Sequence, residues 1–319
     1  MPIIGSFATG STRGFGGLRT FIPLDAITRG LMAGGVNGAT AATDNISYFS
    51  MQSGGATSTF GTLTVARGNL GGGIANSSRG VFGGGSLNGG PPYSSDTIEY
   101  VTIATTGNGT SFGTLTVSRD QLATASQHGT RGLFMGGSVV YNATSYNTID
   151  YITIASTGNA TNFGNLISAT RSGGAMASTT RAVFGKGISG GYSNTLEYVT
   201  IATTGNAVSF GNCATGGYSG GVANETRGLI NGYSSQTTEY ITIATTGNAA
   251  SFGDSTTNRY WQEGMNTSTA AIFVGGASIS TNLGLNNIDS YTIATTGNAT
   301  AFGTITTYPR YGTATCSGA

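Results

Sequence analysis

TIEYVTIATTGNGTSFGTLTVSR, residues 97–119, decides the fold, because pieces of it return along the chain. TLEYVTIATTGN stands at 195–206, and the Phe-Gly pair recurs as Phe60-Gly61, Phe112-Gly113, Phe163-Gly164, Phe210-Gly211, Phe252-Gly253 and Phe302-Gly303. The intervals are 52, 51, 47, 42 and 50 residues, and a near-constant segment precedes each of the last five pairs. Further upstream lies an apolar stretch ending in paired glycines: VFGGG at 81–85, LFMGG at 133–137, IFVGG at 272–276.

A period near 50 with several short strands per unit is that of propeller blades, too long for leucine-rich or ankyrin repeats. Residues 120–171 read as one blade of four strands: DQLATASQ, a turn at His128-Gly129-Thr130, RGLFMGG, a polar loop through Asn147, TIDYITIAS, and ATNFGNLISATR. Gly158-Asn159 reads as a two-residue hairpin whose residues tolerate positive φ. In the strand 98–104, Ile98 and Tyr100 point one way, Val101 and Ile103 the other. A sandwich strand alternates apolar with polar, whereas a blade between two blades is covered on both faces. No useful stretch has 3.6-residue apolar periodicity, so helices are expected to be nearly absent. The expected fold is all-β, a six-bladed propeller of four-stranded antiparallel blades.

Composition agrees. Glycine supplies 55 of 319 residues and charged residues 8%, yet there are 15 Tyr and 14 Phe, unlike a disordered chain. A net charge of +1 offers no electrostatic footprint for nucleic acid. No apolar run approaches the roughly 20 residues that span a bilayer, so no membrane insertion is expected. The N-terminus lacks the basic and apolar blocks of a signal peptide. Cys213 and Cys316 lie in different repeats and read as buried core residues, not a disulfide framework.

The order of strands, glycine doublet (Gly34-Gly35, Gly84-Gly85, Gly136-Gly137, Gly275-Gly276), tyrosine strand, hairpin, aromatic strand and arginine resembles the kelch propeller motif over residues 27–319. TIATTGNAT replaces that family's acidic turn, and phenylalanine stands where the family has tryptophan. The string TIATTGNATxFG, with the opening IGSFATGSTRGFGG, also resembles repeats in structural proteins of tailed, particularly marine, bacteriophages. That likeness implies a virion component, a tail fibre or tail-associated attachment protein made in the host cytoplasm. It also implies virion proteins docked through residues 1–26, a host-surface glycan or protein as partner, and a symmetric assembly or homo-oligomer. A non-viral carbohydrate-binding or adaptor propeller is the competing reading.

Ten of the 13 basic residues sit at two repeat positions: Arg29, Arg79, Arg131, Arg181 and Arg227 open the second strand; Arg67, Arg119, Arg171, Arg259 and Arg310 end the fourth. Glu99, Asp150, Glu197, Glu239 and Asp289 recur early in the third. This charge ladder reads as an arginine–carboxylate pair repeated once per blade, since a chain so sparing with charge gains from bidentate geometry. Catalytic chemistry is hard to assemble. His128 is the sole histidine, so neither a triad nor a metal site with three or four ligands is expected, and no cofactor. The scattered acids Asp96, Asp120, Glu225, Asp254 and Glu263 read as solvated loop residues. A non-enzymatic protein is therefore expected.

Recognition is expected on the loops between second and third strands, which differ in every unit: 86–96, 138–147, 188–194, 233–236 and 277–287. Their tyrosines Tyr93, Tyr141, Tyr146, Tyr192 and Tyr233 are the candidate contacts. Closure is left with three routes. Either YGTATCSGA at the C-terminus interlocks with the N-terminal region, or residues 1–26 leave the ring as a docking arm, or a partial seventh blade forms.

Overall fold

The computed structural model describes residues 28–37, 41–88, 93–126, 129–139, 144–233, 235–307 and 309–318, and their regular structure is all β. The docking segment 1–26, His128 and Tyr141 lie outside the described residues. Four four-stranded antiparallel sheets, here sheets 2 to 5, follow one another over 74–114, 123–165, 174–212 and 221–254. An eight-stranded sheet holds two further groups of four. Sheet 6 spans 263–304, and sheet 1 combines Arg29–Ala33, Asn45–Ser50 and Gly54–Thr62 with the last strand, Ala314–Ser317. That last strand pairs antiparallel with Arg29–Ala33, so the two ends of the described chain interlock.

Within each unit, successive strands are neighbours. In sheet 3 the order is Ala123–Ala125, Arg131–Met135, Thr148–Thr153, Thr161–Asn165. Both faces of the third strand are covered, as its sequence requires. Ile98 and Tyr100 join the apolar cluster shared by sheets 2 and 3, while Val101 and Ile103 join the one shared by sheets 1 and 2. Four more clusters lie between sheets 3 and 4, 4 and 5, 5 and 6, and 6 and 1, so the apolar contacts run in a cycle. Each fully buried Leu, Ile or Phe in them contributes about 1.5–3 kcal/mol. The first strands also meet one another around that cycle and line a cavity of about 60 Å³. Cys213 and Cys316 are buried and unbonded within these clusters, and burial pushes the Cys213 thiol up to about 12.

The Phe-Gly pair marks one event in all six units. The register slips there: Ile98 faces Gly113 but Glu99 faces Ser111, which leaves Phe112 as the extra residue of a β-bulge. The same slip occurs at Phe60, Phe163, Phe210, Phe252 and Phe302. The following glycine lies against the neighbouring sheet: a Cβ on Gly113 would sit 2.2 Å from the carbonyl oxygen of Gly158.

This corrects the reading of Gly158-Asn159 as a tight turn. The connection between third and fourth strands runs from 154 to 160, and neither residue is left-handed. The pair instead clips onto the preceding sheet. Gly158 N–H donates to Phe112 O at 2.8 Å, Ala160 N–H to Thr114 O at 2.8 Å, and Asn159 Oδ1 accepts from Thr114 N–H at 3.1 Å. Asn108, Asn206, Asn248 and Asn298 make the same clip at four other junctions. The junction of sheets 6 and 1 lacks it. There a short parallel pairing, Gly303 to Gly55 and Thr304 to Ala56, joins the sheets, and Thr57 and Thr306 bond across it.

The arginines fall into two sets that do different work. Among the described residues Arg79, Arg131, Arg181 and Arg227, with Arg29, do not pair with carboxylates, contrary to the single ladder read from the repeat. Each guanidinium lies 4.6–4.7 Å from the ring centroid of a tyrosine in its own sheet. Each also donates to two carbonyls of the next sheet's hairpin, as Arg131 does to Ile201 and Ala202 at 3.0 and 2.8 Å. Sheet 6 carries Ala270 and Ser290 at these places, so the staple is absent at the junction that also lacks the clip.

The carboxylates pair with the other set. Arg67–Glu99, Arg119–Asp150 and Arg259–Asp289 form ion pairs of 2.8, 2.6 and 2.8 Å, all essentially sealed from solvent. Arg67 and Arg119 also donate to a carbonyl of the glycine doublet, Gly84 or Gly136. The doublet glycines have φ between +61° and +104°, a region closed to most side chains. Arg171 stands one residue beyond the arginine position, which Thr170 holds, so among the described residues Glu197 has no cation and only the Ile167 N–H at 2.6 Å. Burial accordingly pushes the Glu197 carboxyl above its usual range. Glu239 is paired by Lys186, which occupies the first doublet position at φ +57°. Arg310 faces Ser47 where the other sheets have an acid, and burial lowers it to about 10.

Candidate functional site

Five of the six linkers that leave a fourth strand cross to the next sheet and pair with that sheet's loop between second and third strands. Arg67-Gly68 pairs with Ser86-Leu87, Asp120 with Ser138, Arg171 with Ile188, Arg259-Tyr260 with Ala277-Ser278, and Arg310-Tyr311 with Val36-Asn37. Linkers and variable loops therefore share one face.

On this face six aromatic rings form one arc. Tyr192 and Tyr233 come from the loops of sheets 4 and 5. Tyr218, Tyr260 and Tyr311 occupy a single repeat position, the second residue of three consecutive linkers, and Trp261 follows Tyr260. Ring centroids are 5.1 Å apart for Tyr192–Tyr233, 5.5 Å for Tyr233–Tyr218 and 4.8 Å for Tyr218–Trp261. Trp261 stacks on Tyr311 at 5.0 Å with planes 14° apart. Tyr192 is 58% exposed, Tyr218, Tyr233 and Trp261 are half-buried, and Tyr260 and Tyr311 floor the arc. Burial raises the phenol pKa of Tyr218, Tyr260 and Tyr311, so they stay neutral hydroxyl donors. Tyr260 donates to Asn282 Oδ1 at 2.8 Å.

Two features show what the arc costs the fold. Trp261 has φ +54°, a left-handed conformation that a bulky side chain adopts only under constraint, and its buried Nε1–H has no hydrogen-bond partner. Gly217 stands where four of the other linkers carry a buried arginine, with Tyr192 and Tyr233 packed over it; a Cβ there would lie 2.8 Å from Tyr192. The rings thus displace an arginine, and Lys186 supplies the missing charge to Glu239.

Of the four expected contact tyrosines among the described residues, Tyr192 and Tyr233 join this arc; Tyr141 lies outside them. Tyr146 is half-buried near Arg119, and Tyr93 is half-buried with its carbonyl accepting from Leu87 N–H. The reading by loops missed Tyr218, Tyr260, Trp261 and Tyr311 because they lie on linkers. Aligning the chain on the linker arginine exposes them: GY at 217–218, RY at 259–260 and 310–311.

The acids also need correction. Asp96, Glu225 and Asp254 are exposed, but Asp120 is 3% exposed, accepts from Ser138 Oγ at 2.7 Å, and is pushed up to about 6 by burial. Glu263 lies on the first strand of sheet 6 and lines the cavity inside the cycle of sheets. No protein-family model matches the chain, and no curated protein matches it.

Proposed function

We propose that the chain is a six-bladed kelch-like β-propeller and a non-enzymatic attachment protein of a bacteriophage tail, binding a host-surface saccharide through the aromatic arc. The cycle of six sheets and six interfacial clusters supports the propeller. The observation that carries the binding reading is the arc itself: contiguous half-exposed rings on the variable face, bought at the expense of an arginine and a strained tryptophan. Flat rings with hydroxyl tips accept the C–H-rich face of a pyranose and leave its hydroxyls to polar neighbours such as Asn282. The resemblance to tailed-phage repeats supports the virion, with residues 1–26 as the segment that docks to other virion proteins.

Immunogold labelling of particles released by the phage encoding this chain tests the assignment. Gold on the tail is expected. Gold confined to the soluble lysate, with saccharide binding intact, establishes the second reading, a non-viral carbohydrate-binding propeller.

A further inference from the structure

The cavity lined by the six first strands has an unusual lining. Glycine and alanine dominate it, and Glu263 is the only charged residue among the described residues that line it. At the same register in other sheets, opposite the fifth residue of the second strand, stand Ala123, Gly174 and Ala314. One glutamate thus projects where its equivalents carry a methyl or nothing. Among the described residues no hydrogen bond or ion pair to its carboxyl is found, and burial pushes its pKa well above the usual carboxylate range. Glu263 is partly exposed and lines the cavity.

The polar groups around it are spent in one direction. Thr124 Oγ1–H donates to Gly73 O at 3.0 Å, Thr315 Oγ1–H to Gly264 O at 2.9 Å, and Ser317 Oγ–H to Asn266 O at 2.8 Å. The N–H groups of Gly73 and Gly174 donate to Thr315 O and Ser219 Oγ. Donor protons are committed to neighbouring strands, whereas the three hydroxyl oxygens keep lone pairs. Such a lining, with one carboxyl and no free cationic side chain, repels anions and suits a positive charge.

We infer that the axial cavity is a binding site for a hard, oxygen-liganded cation, held by the Glu263 carboxylate together with hydroxyl oxygens of the first strands. Oxygen donors select calcium or an alkali ion over softer metals. A single carboxylate holds calcium weakly, with a dissociation constant of roughly a millimolar. The site is separate from the attachment reading and stands or falls without it.

The sole tryptophan, Trp261, lies two residues from Glu263 and borders the same axial opening, so it can sensitise a lanthanide bound there. Terbium titrated into the full chain, with excitation of Trp261, is expected to give saturable luminescence. Glu263→Gln should abolish it, and Thr315→Val should weaken it several-fold, which guards against a folding defect in the first variant. Displacement of terbium by calcium, sodium or potassium chloride then identifies the cation. No luminescence in the wild type, or equal luminescence in both variants, overturns the site and leaves Glu263 a protonated lining residue.

Discussion

The Phe-Gly glycines recur six times and the hairpin Gly-Asn glycines five, yet the structure gives them opposite tolerance to a side chain. Gly113→Ala places a methyl 2.2 Å from Gly158 O and 2.5 Å from its carbonyl carbon, both backbone atoms. Relief requires the hairpin of sheet 3 to withdraw. That sacrifices Gly158 N–H to Phe112 O, Ala160 N–H to Thr114 O and the Asn159 side-chain bond. Three bonds at about 1 kcal/mol each give a loss of about 3 kcal/mol, and overpacking with the hairpin in place one of about 1–3 kcal/mol. Gly158→Ala, on the other side of the contact, meets no atom within 4 Å and requires no left-handed φ. Its cost should stay within about 0.5 kcal/mol, as for other open surface sites. Urea unfolding followed by circular dichroism compares the two. Equal losses, or a loss below about 1 kcal/mol for Gly113→Ala, would refute the clip as the reason for the repeat.

Three further outcomes concern the charges. Lys186→Met strands the buried Glu239 carboxylate and should cost about 3 kcal/mol, with Glu239→Gln in the same chain recovering much of it; a double-mutant cycle in urea measures the coupling. Glu197→Gln keeps an acceptor for Ile167 N–H and removes an unpaired charge. Because the folded carboxyl pKa is raised, its stability contribution is lost as pH rises through that value, so the variant should melt higher than wild type at pH 7 and equally at pH 4. Asp120 follows the same sign. Its folded value of about 6 against 3.8 makes ionisation cost about 3 kcal/mol between pH 4 and 6, a slope that Asp120→Asn should remove from the stability profile.

The repeat made most of this architecture legible. Phe-Gly, the glycine doublet and the two-faced third strand each record a local backbone need, a bulge, a left-handed pair or a doubly covered strand, and such needs show in one copy of the unit. What was not legible lies between units. Gly158-Asn159 looks like a turn because turns favour those residues, and its bonds to Phe112 and Thr114 appear only when two sheets meet. The arginines could not be assigned by count, since two arginine positions compete for one acid, and Arg171 sits one residue out of phase. The aromatic arc was hidden because its tyrosines sit in linkers beside an arginine, where the sequence shows only an aromatic in three of six copies. Glu263 passed for a loop acid because nothing in one sequence tells an enclosed carboxyl from a solvated one.

The central claim, that three linkers and two loops build one saccharide-binding surface, is tested most directly by Trp261 emission. The full chain would be titrated with a panel of bacterial surface polysaccharides. The account predicts a saturable change with at least one of them, lost in the Tyr192→Ala, Tyr233→Ala double variant while its unfolding midpoint in urea is unchanged. A polysaccharide that binds the double variant as tightly as the wild type, or no binding to any polysaccharide of the panel, would contradict it.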